Sequence, residues 1–136
     1  MKKLMRIMLL YVVVLFCIIV VNVWLFKGIP LSGIPKAENI ERFIIVHSDY
    51  PDDVKEYIDE GEIKLAELLL KTFLNYAPLK RVSEDNPIIQ ITYIMDDGTE
   101  IVVKANDTTV WWNGKARALQ KEELFVNACT GLFYTD

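Results

Sequence analysis

Histidine, cysteine and clustered acids are the residue types from which a small chain builds a reactive centre, and here they are sparse. His47 is the only histidine. A zinc site or a catalytic dyad needs it with a partner, and no H-x-x-x-H, C-x-x-C or H-E pairing is present. His47 therefore reads as a packed or solvated side chain at a strand end. Cys129 with His47 would make a thiol–imidazole pair, but no Lys or Arg adjoins Cys129 to favour a thiolate. The acidic groups Asp49/Asp52/Asp53, Glu84/Asp85 and Asp96/Asp97 supply oxygen ligands of the kind calcium takes. None follows the D-x-[DN]-x-[DN]-G loop pattern, and turn chemistry accounts for all three. Neither a Gly-rich phosphate loop nor G-x-S-x-G occurs. The expectation is no catalytic residue, no bound metal and no cofactor. The alternative is a small envelope hydrolase or weak cation-binding protein using the acidic loops, Asp49 to Asp53 above all.

Trp111 and Trp112 carry a different chemistry. Neighbours on a strand point to opposite faces, so both indoles cannot enter one core. One is expected to pack under the helix. The other is either covered by the C-terminal segment, through Leu124, Phe125 or Phe133, or left as an exposed aromatic of the kind enriched in recognition surfaces. The pair is the candidate binding site.

The element that positions all of this is the uncharged run at residues 7–26, IMLLYVVVLFCIIVVNVWLF. As a helix it spans roughly 30 Å, the thickness of a bilayer's hydrocarbon core. Lys2, Lys3 and Arg6 precede it, which predicts a cytoplasmic tail at residues 1–6 and a domain outside. Trp24 and Lys27 suit an aromatic and a snorkelling cation at the outer interface. Bulky Trp24, Leu25 and Phe26 stand where signal cleavage requires small residues, and Phe16 precedes Cys17 where a lipoprotein needs a small one. The run is thus expected to stay as a transmembrane anchor in the cell membrane. Asn22, its one strongly polar residue, is the candidate for a helix–helix contact within the bilayer.

Residues 27–39, with two prolines and two glycines, read as a short stalk. The remainder, residues 40–136, is large enough for one domain. Beyond residue 26 lie all 19 acidic residues but 12 of the 15 Lys and Arg, a net charge of −7 against −4 for the whole chain. Such a balance disfavours nucleic acid and anionic headgroups as partners. With Cys17 inside the apolar run, Cys129 is the one cysteine beyond it, so the domain must rest on core packing.

Residues 40–47 read as a first strand and residues 48–53 as a turn cluster, while residues 54–58 fit either a paired strand or the first turns of a helix. Asp59 is placed as an N-cap with Glu62 three residues on. The helix that follows runs to about Tyr76 and is stopped by Pro78. Its stripe of Ile63, Ala66, Leu70, Phe73, Leu74 and Ala77 suits packing on a sheet. Glu60, Lys64, Glu67 and Lys71 form the outer face. Beyond a loop at residues 79–87 the period becomes two: Ile89, Ile91 and Tyr93, then, after Asp97-Gly98 (a hairpin signal for a type I′ turn), Ile101, Val103 and Ala105. Asn106-Asp107 turns the chain again, despite matching a glycosylation acceptor with Thr108. The strand at residues 108–112 is followed by the hairpin signal Asn113-Gly114 and residues 115–119. Residues 120–136 are expected to form a short helix or turn plus an edge strand. The predicted fold is α+β: one N-terminal transmembrane helix, then a two-layer domain with one main helix on an antiparallel meander.

From Ser83 and Pro87 onward, through Asp97-Gly98, Val110-Trp111-Trp112 and Gly131-Leu132-Phe133, the chain resembles an uncharacterised family of small, N-terminally anchored extracytoplasmic α+β domains of Gram-positive bacteria. The resemblance implies a strand pair before the helix, and so a strand at residues 54–58. It implies no activity. Anchor, stalk and absent catalytic set together lead to an expected non-enzymatic interaction or sensory module at the cell envelope. Its partners would be the lipid bilayer, through residues 7–26, and another membrane or envelope protein. The remaining alternative is an accessory subunit that acts through its transmembrane helix.

Overall fold

The computed structural model describes residues 1–134, and of Trp24 and Lys27 the backbone only. Helix α1, Lys2–Lys27, begins five residues before the uncharged run because Lys2 to Arg6 extend the same helix at its solvated end. Its first 22 residues have a mean hydropathy of 2.9 over an 18-residue window, with none of that window buried in the protein. It is long and apolar enough to cross a membrane.

The expected stalk is instead a packed part of the domain. Strand β1, Ile29–Pro30, follows α1 directly, and a 3-10 turn occupies Ala37–Asn39. Gly28, Leu31 and Pro35 are buried between them. The reason is close contact: Gly28 has φ +79°, and a Cβ there would lie 2.7 Å from Gln120 Cβ and 2.9 Å from the Tyr76 carbonyl oxygen. Only glycine fits both the backbone and the space.

Strands β2, Ile40–His47, and β3, Tyr50–Tyr57, form a tight hairpin, so residues 54–57 are strand, Ile58 lies just beyond it, and the turn is confined to Ser48-Asp49. Pro51 is tolerated because β3 is the edge of the sheet. Helix α2, Glu60–Phe73, starts at Asp59, although the Asp59 side chain makes no capping hydrogen bond. It ends a turn earlier than expected. Leu74 leaves helical geometry, and strand β4, Asn75–Tyr76, pairs with β1 through Ile29↔Tyr76 and Pro30↔Asn75. Four further strands make the meander: β5, Ile89–Met95; β6, Glu100–Ala105; β7, Thr109–Trp112; and β8, Lys115–Ala118. The main sheet is antiparallel, in the order β3-β2-β5-β6-β7-β8.

The chain then forms a second helix, α3, Leu124–Phe133, rather than a helix or turn with an edge strand. Phe125, Val126, Cys129 and Phe133 recur with helical spacing and are all buried. Together α2 and α3 cover the inner face of the sheet, so two helices rather than one main helix close the core. Phe43, Tyr93 and Phe133 meet there with ring centroids about 6 Å apart. The outer face carries Ile44, Val46, Gln90, Thr92, Val102, Lys104 and Trp111, and among the described residues no helix covers it.

Candidate binding groove

β7 divides the two tryptophans as strand parity requires. Trp112 is 4% exposed, and its indole N–H donates to the Ser32 carbonyl at 2.8 Å. Its polar cover therefore comes from the segment after α1. Trp111 points to the outer face and stays half-buried. A cross-strand row leads to it: Val46 opposite Gln90, Gln90 opposite Lys104, Lys104 opposite Trp111.

The wall of the site is the loop between β4 and β5. Thr109 Oγ1 accepts from the Ser83 backbone N–H at 2.9 Å, and Ser83 Oγ accepts from Asp85 N–H at 3.1 Å. Asn106, 4% exposed, accepts from Thr108 and Thr109 N–H at 2.9 and 2.8 Å and donates to the Asp85 carbonyl. Its amide thus faces inward and holds the turn and the loop together. The loop and sheet enclose a groove of about 680 Å³, floored by Gln90, Val102, Lys104 and Trp111 and rimmed by Glu84, Asp85, Asn86 and Asn113. The Asn113-Gly114 turn at its end has φ of 50° and 75°, the geometry of a type I′ hairpin. An indole face, a valine and both signs of charge converge here. That set suits recognition of a mixed apolar and polar partner surface. Neither histidine, cysteine nor serine lines the groove.

The other candidate residues lie apart from it. His47 is buried at the opposite face, where Nδ1 accepts from the Asp49 backbone N–H at 3.1 Å and Nε2 lies 3.0 Å from Thr130 Oγ1. An acceptor role for Nδ1 places the ring proton on Nε2, donating to Thr130, whose hydroxyl donates in turn to the Val126 carbonyl. Tyr50 and Tyr134 stack on each other and meet the imidazole edge-on. The histidine clamps the β2–β3 turn to α3. Burial pushes the neighbouring Cys129 thiol up to about 12, the reverse of what a nucleophile needs. Burial, with Asp53 nearby, likewise pushes the Tyr134 hydroxyl up to about 12; it donates to the Ile45 carbonyl.

Among the described residues no three His, Cys, Asp or Glu side chains gather as a metal site. Asp53 pairs with Lys55 at 3.5 Å, and Asp97 accepts from the N–H and hydroxyl of Thr99, bonds that hold its carboxyl below the usual range. Asp96-Asp97-Gly98 is a three-residue loop with only Gly98 at positive φ, not the two-residue type I′ turn expected. The aspartate side chain stabilises the alternative.

On α1, Lys2, Lys3 and Arg6 are exposed at the first turns. Trp24 and Lys27 stand in the last turns, with side chains outside the described residues. Asn22 donates to the Ile18 carbonyl one turn back at 2.8 Å, so one of its two amide N–H groups is satisfied within its own helix. The groove loop is the part that sequence reasoning missed: Thr109 and Asn106 anchor it from 20 or more residues away.

No protein-family model, curated protein or solved structure matches this chain. The likeness carried by its turns and aromatic strand thus brings neither a family nor an activity with it.

Proposed function

We propose that the chain is a single-pass membrane protein whose α+β domain is a non-enzymatic interaction or sensory module at the cell envelope. Residues 7–26 cross the bilayer, Lys2, Lys3 and Arg6 hold the N-terminal end in the cytoplasm, and the domain lies outside. The domain meets another membrane or envelope protein through the groove at Trp111. The observation that carries this reading is the pairing of a half-buried tryptophan with a groove on the sheet face that no helix covers among the described residues.

The hydrolase and cation-binding readings draw less support, because His47 and Cys129 are built into the core and no three acidic side chains gather among the described residues. The accessory-helix reading rested on Asn22, one of whose two amide N–H groups is bonded within α1. A photoreactive residue at position 113 in the full-length chain, expressed in its own cells, tests the proposal. A discrete envelope protein is expected to crosslink, and Trp111→Ala is expected to lower the yield at least tenfold, as for a central aromatic contact. Recovery of no specific protein, or an unchanged yield in Trp111→Ala, would overturn it. Replacing α1 by an unrelated anchor is expected to leave the crosslink intact.

A further inference from the structure

Charge is distributed unevenly over this acidic domain. Arg42, Lys55, Lys64 and Lys71 each pair with a carboxylate, on Glu56, Asp53, Glu60 and Glu67 respectively. Lys80, Arg81, Lys115, Arg117 and Lys121 pair with no described carboxylate. The two segments that carry these five, residues 74–83 and 109–121, contain no Asp or Glu.

The same two segments hold the end of α1. Gln120 Nε2 donates to the Leu25 and Phe26 carbonyls at 2.7 and 3.1 Å, satisfying carbonyl oxygens that a helix C-terminus leaves free. Lys80 Nζ donates to the Gln120 carbonyl at 3.1 Å. The Arg117 guanidinium lies 4.3 Å from the ring centroid of Tyr76, and Tyr76 pairs with Ile29, two residues beyond α1. Lys115 and Arg117 share a cleft with Ile29 and Pro30. Lys121 directly follows Gln120, and Arg81 follows Lys80. The cations thus form a rim on the two segments that hold the end of α1, where Gly28 packs closely against Gln120 and Tyr76.

We propose that this rim rests on anionic phospholipid headgroups of the leaflet facing the domain. The inference rests on α1 spanning the bilayer. With residues 7–26 in the hydrocarbon, the chain at residues 28–30 lies at headgroup depth, and its pairing partners lie there with it. Lys and Arg donate to phosphate oxygens, and each cation near an anionic surface strengthens attachment about fivefold. Carboxylates more than about 8 Å away are screened at physiological salt, so the net charge of −7 acts on the rim through near neighbours such as Glu122 and Glu123, which follow Lys121. Asn113 lines both the cleft beside the rim and the Trp111 groove, so docking also sets how the groove is presented above the bilayer.

The test uses the full-length chain, labelled with a fluorophore at Asn113→Cys in a Cys17→Ala background. It is reconstituted in vesicles of phosphatidylcholine, or of phosphatidylcholine with phosphatidylglycerol, each bearing a headgroup quencher. Flotation reads insertion of α1, and quenching reads contact of the rim. Quenching is expected to be stronger in the anionic vesicles and to fall towards the neutral value in 1 M salt, where screening acts within about 3 Å. Lys115→Gln and Lys121→Gln, both at exposed positions, are each expected to lower the docked-to-free ratio about fivefold. Lys64→Gln, on α2, is expected to leave it unchanged. A chain that floats but is quenched equally in both lipids would overturn the rim alone. A chain that fails to float would overturn the spanning helix and the rim with it.

Discussion

The two faces of the main sheet use the same strands for opposite ends. On the inner face Phe43, Ile45, Ile89, Ile91, Tyr93, Val103, Val110 and Trp112 are buried. They lie beneath α2, α3 and the segment after α1. On the outer face most alternating residues of the same strands stay half-buried or exposed, while Thr109 is buried beneath the loop at residues 83–87, which is the cover near Trp111 among the described residues. Alternation alone places Trp111 and Trp112 on different faces. What closes one face and leaves most of the other open is the route of the connecting segments: α2, α3 and the segment after α1 pack on the inner side, while the β4–β5 loop reaches the outer side only beside Trp111. The difference separates residues that hold the domain together from residues free to meet a partner.

Exchanging the roles of the two tryptophans is the strongest way to break that comparison. Trp112→Ala is expected to cost about 3–5 kcal/mol, through the lost core volume and the orphaned Ser32 carbonyl. Trp111→Ala is expected to stay within about 1 kcal/mol. Chemical denaturation of the two variants reads both, and equal losses would erase the distinction between the faces.

A smaller effect tests the inner face from within. Tyr93 is fully buried and its hydroxyl has no hydrogen-bond partner among the described residues, while burial holds its ionisation well above the ordinary tyrosine range. Tyr93→Phe removes an unsatisfied polar group and is expected to raise stability by about 1 kcal/mol. Destabilisation instead would mean that the hydroxyl is satisfied within the core.

The smallest effect lies at the border of the helical layer. Glu67 accepts from Lys71 and from the Ala37 backbone N–H, at 2.8 Å for the latter. The bond to Lys71 first of all holds its carboxyl below the usual range. A carboxyl lowered by folding stabilises the protein above its unfolded value, and that contribution is lost as pH falls through the folded value. Glu67→Gln is expected to cost less than about 1 kcal/mol at neutral pH. The gap to wild type is expected to close in acid, as read by denaturation across pH. A gap independent of pH would assign the cost to packing.

The legible parts of the fold are those set by neighbours in sequence. The uncharged run at residues 7–26, the stripe of α2 from Ile63 to Leu70 and the alternation of β5 and β6 appear where periodicity places them, whereas Leu74 and Ala77 of the expected stripe lie beyond the helix. Asn113-Gly114 turns as its residue types demand, because both tolerate positive φ. Asp97-Gly98 does not, because Asp97 spends its side chain on Thr99 and keeps negative φ. The segment after α1 differs from the stalk its composition predicts for a related reason. Prolines and glycines suit both a free tether and a tightly fitted one, and only contact with Gln120, Tyr76 and Trp112 distinguishes them. Likewise α3 lacks a side-chain cap and starts from Glu123 at φ 66°, so no local signal marks its beginning.

By itself, the sequence determined that an apolar helix precedes an acidic α+β domain, and that two adjacent tryptophans must part company across a strand. Those facts depend on spacing along the chain, which hydrophobic periodicity records directly. The tertiary structure decided which tryptophan faces outward, that a loop makes a groove beside it, and that the segments holding the end of α1 carry five cations with no described carboxylate partner. Each of these depends on side chains distant in sequence meeting in space: Thr109 holding Ser83, Trp112 reaching Ser32, and Gln120 capping Leu25 and Phe26. Such contacts arise only once the chain has closed on itself.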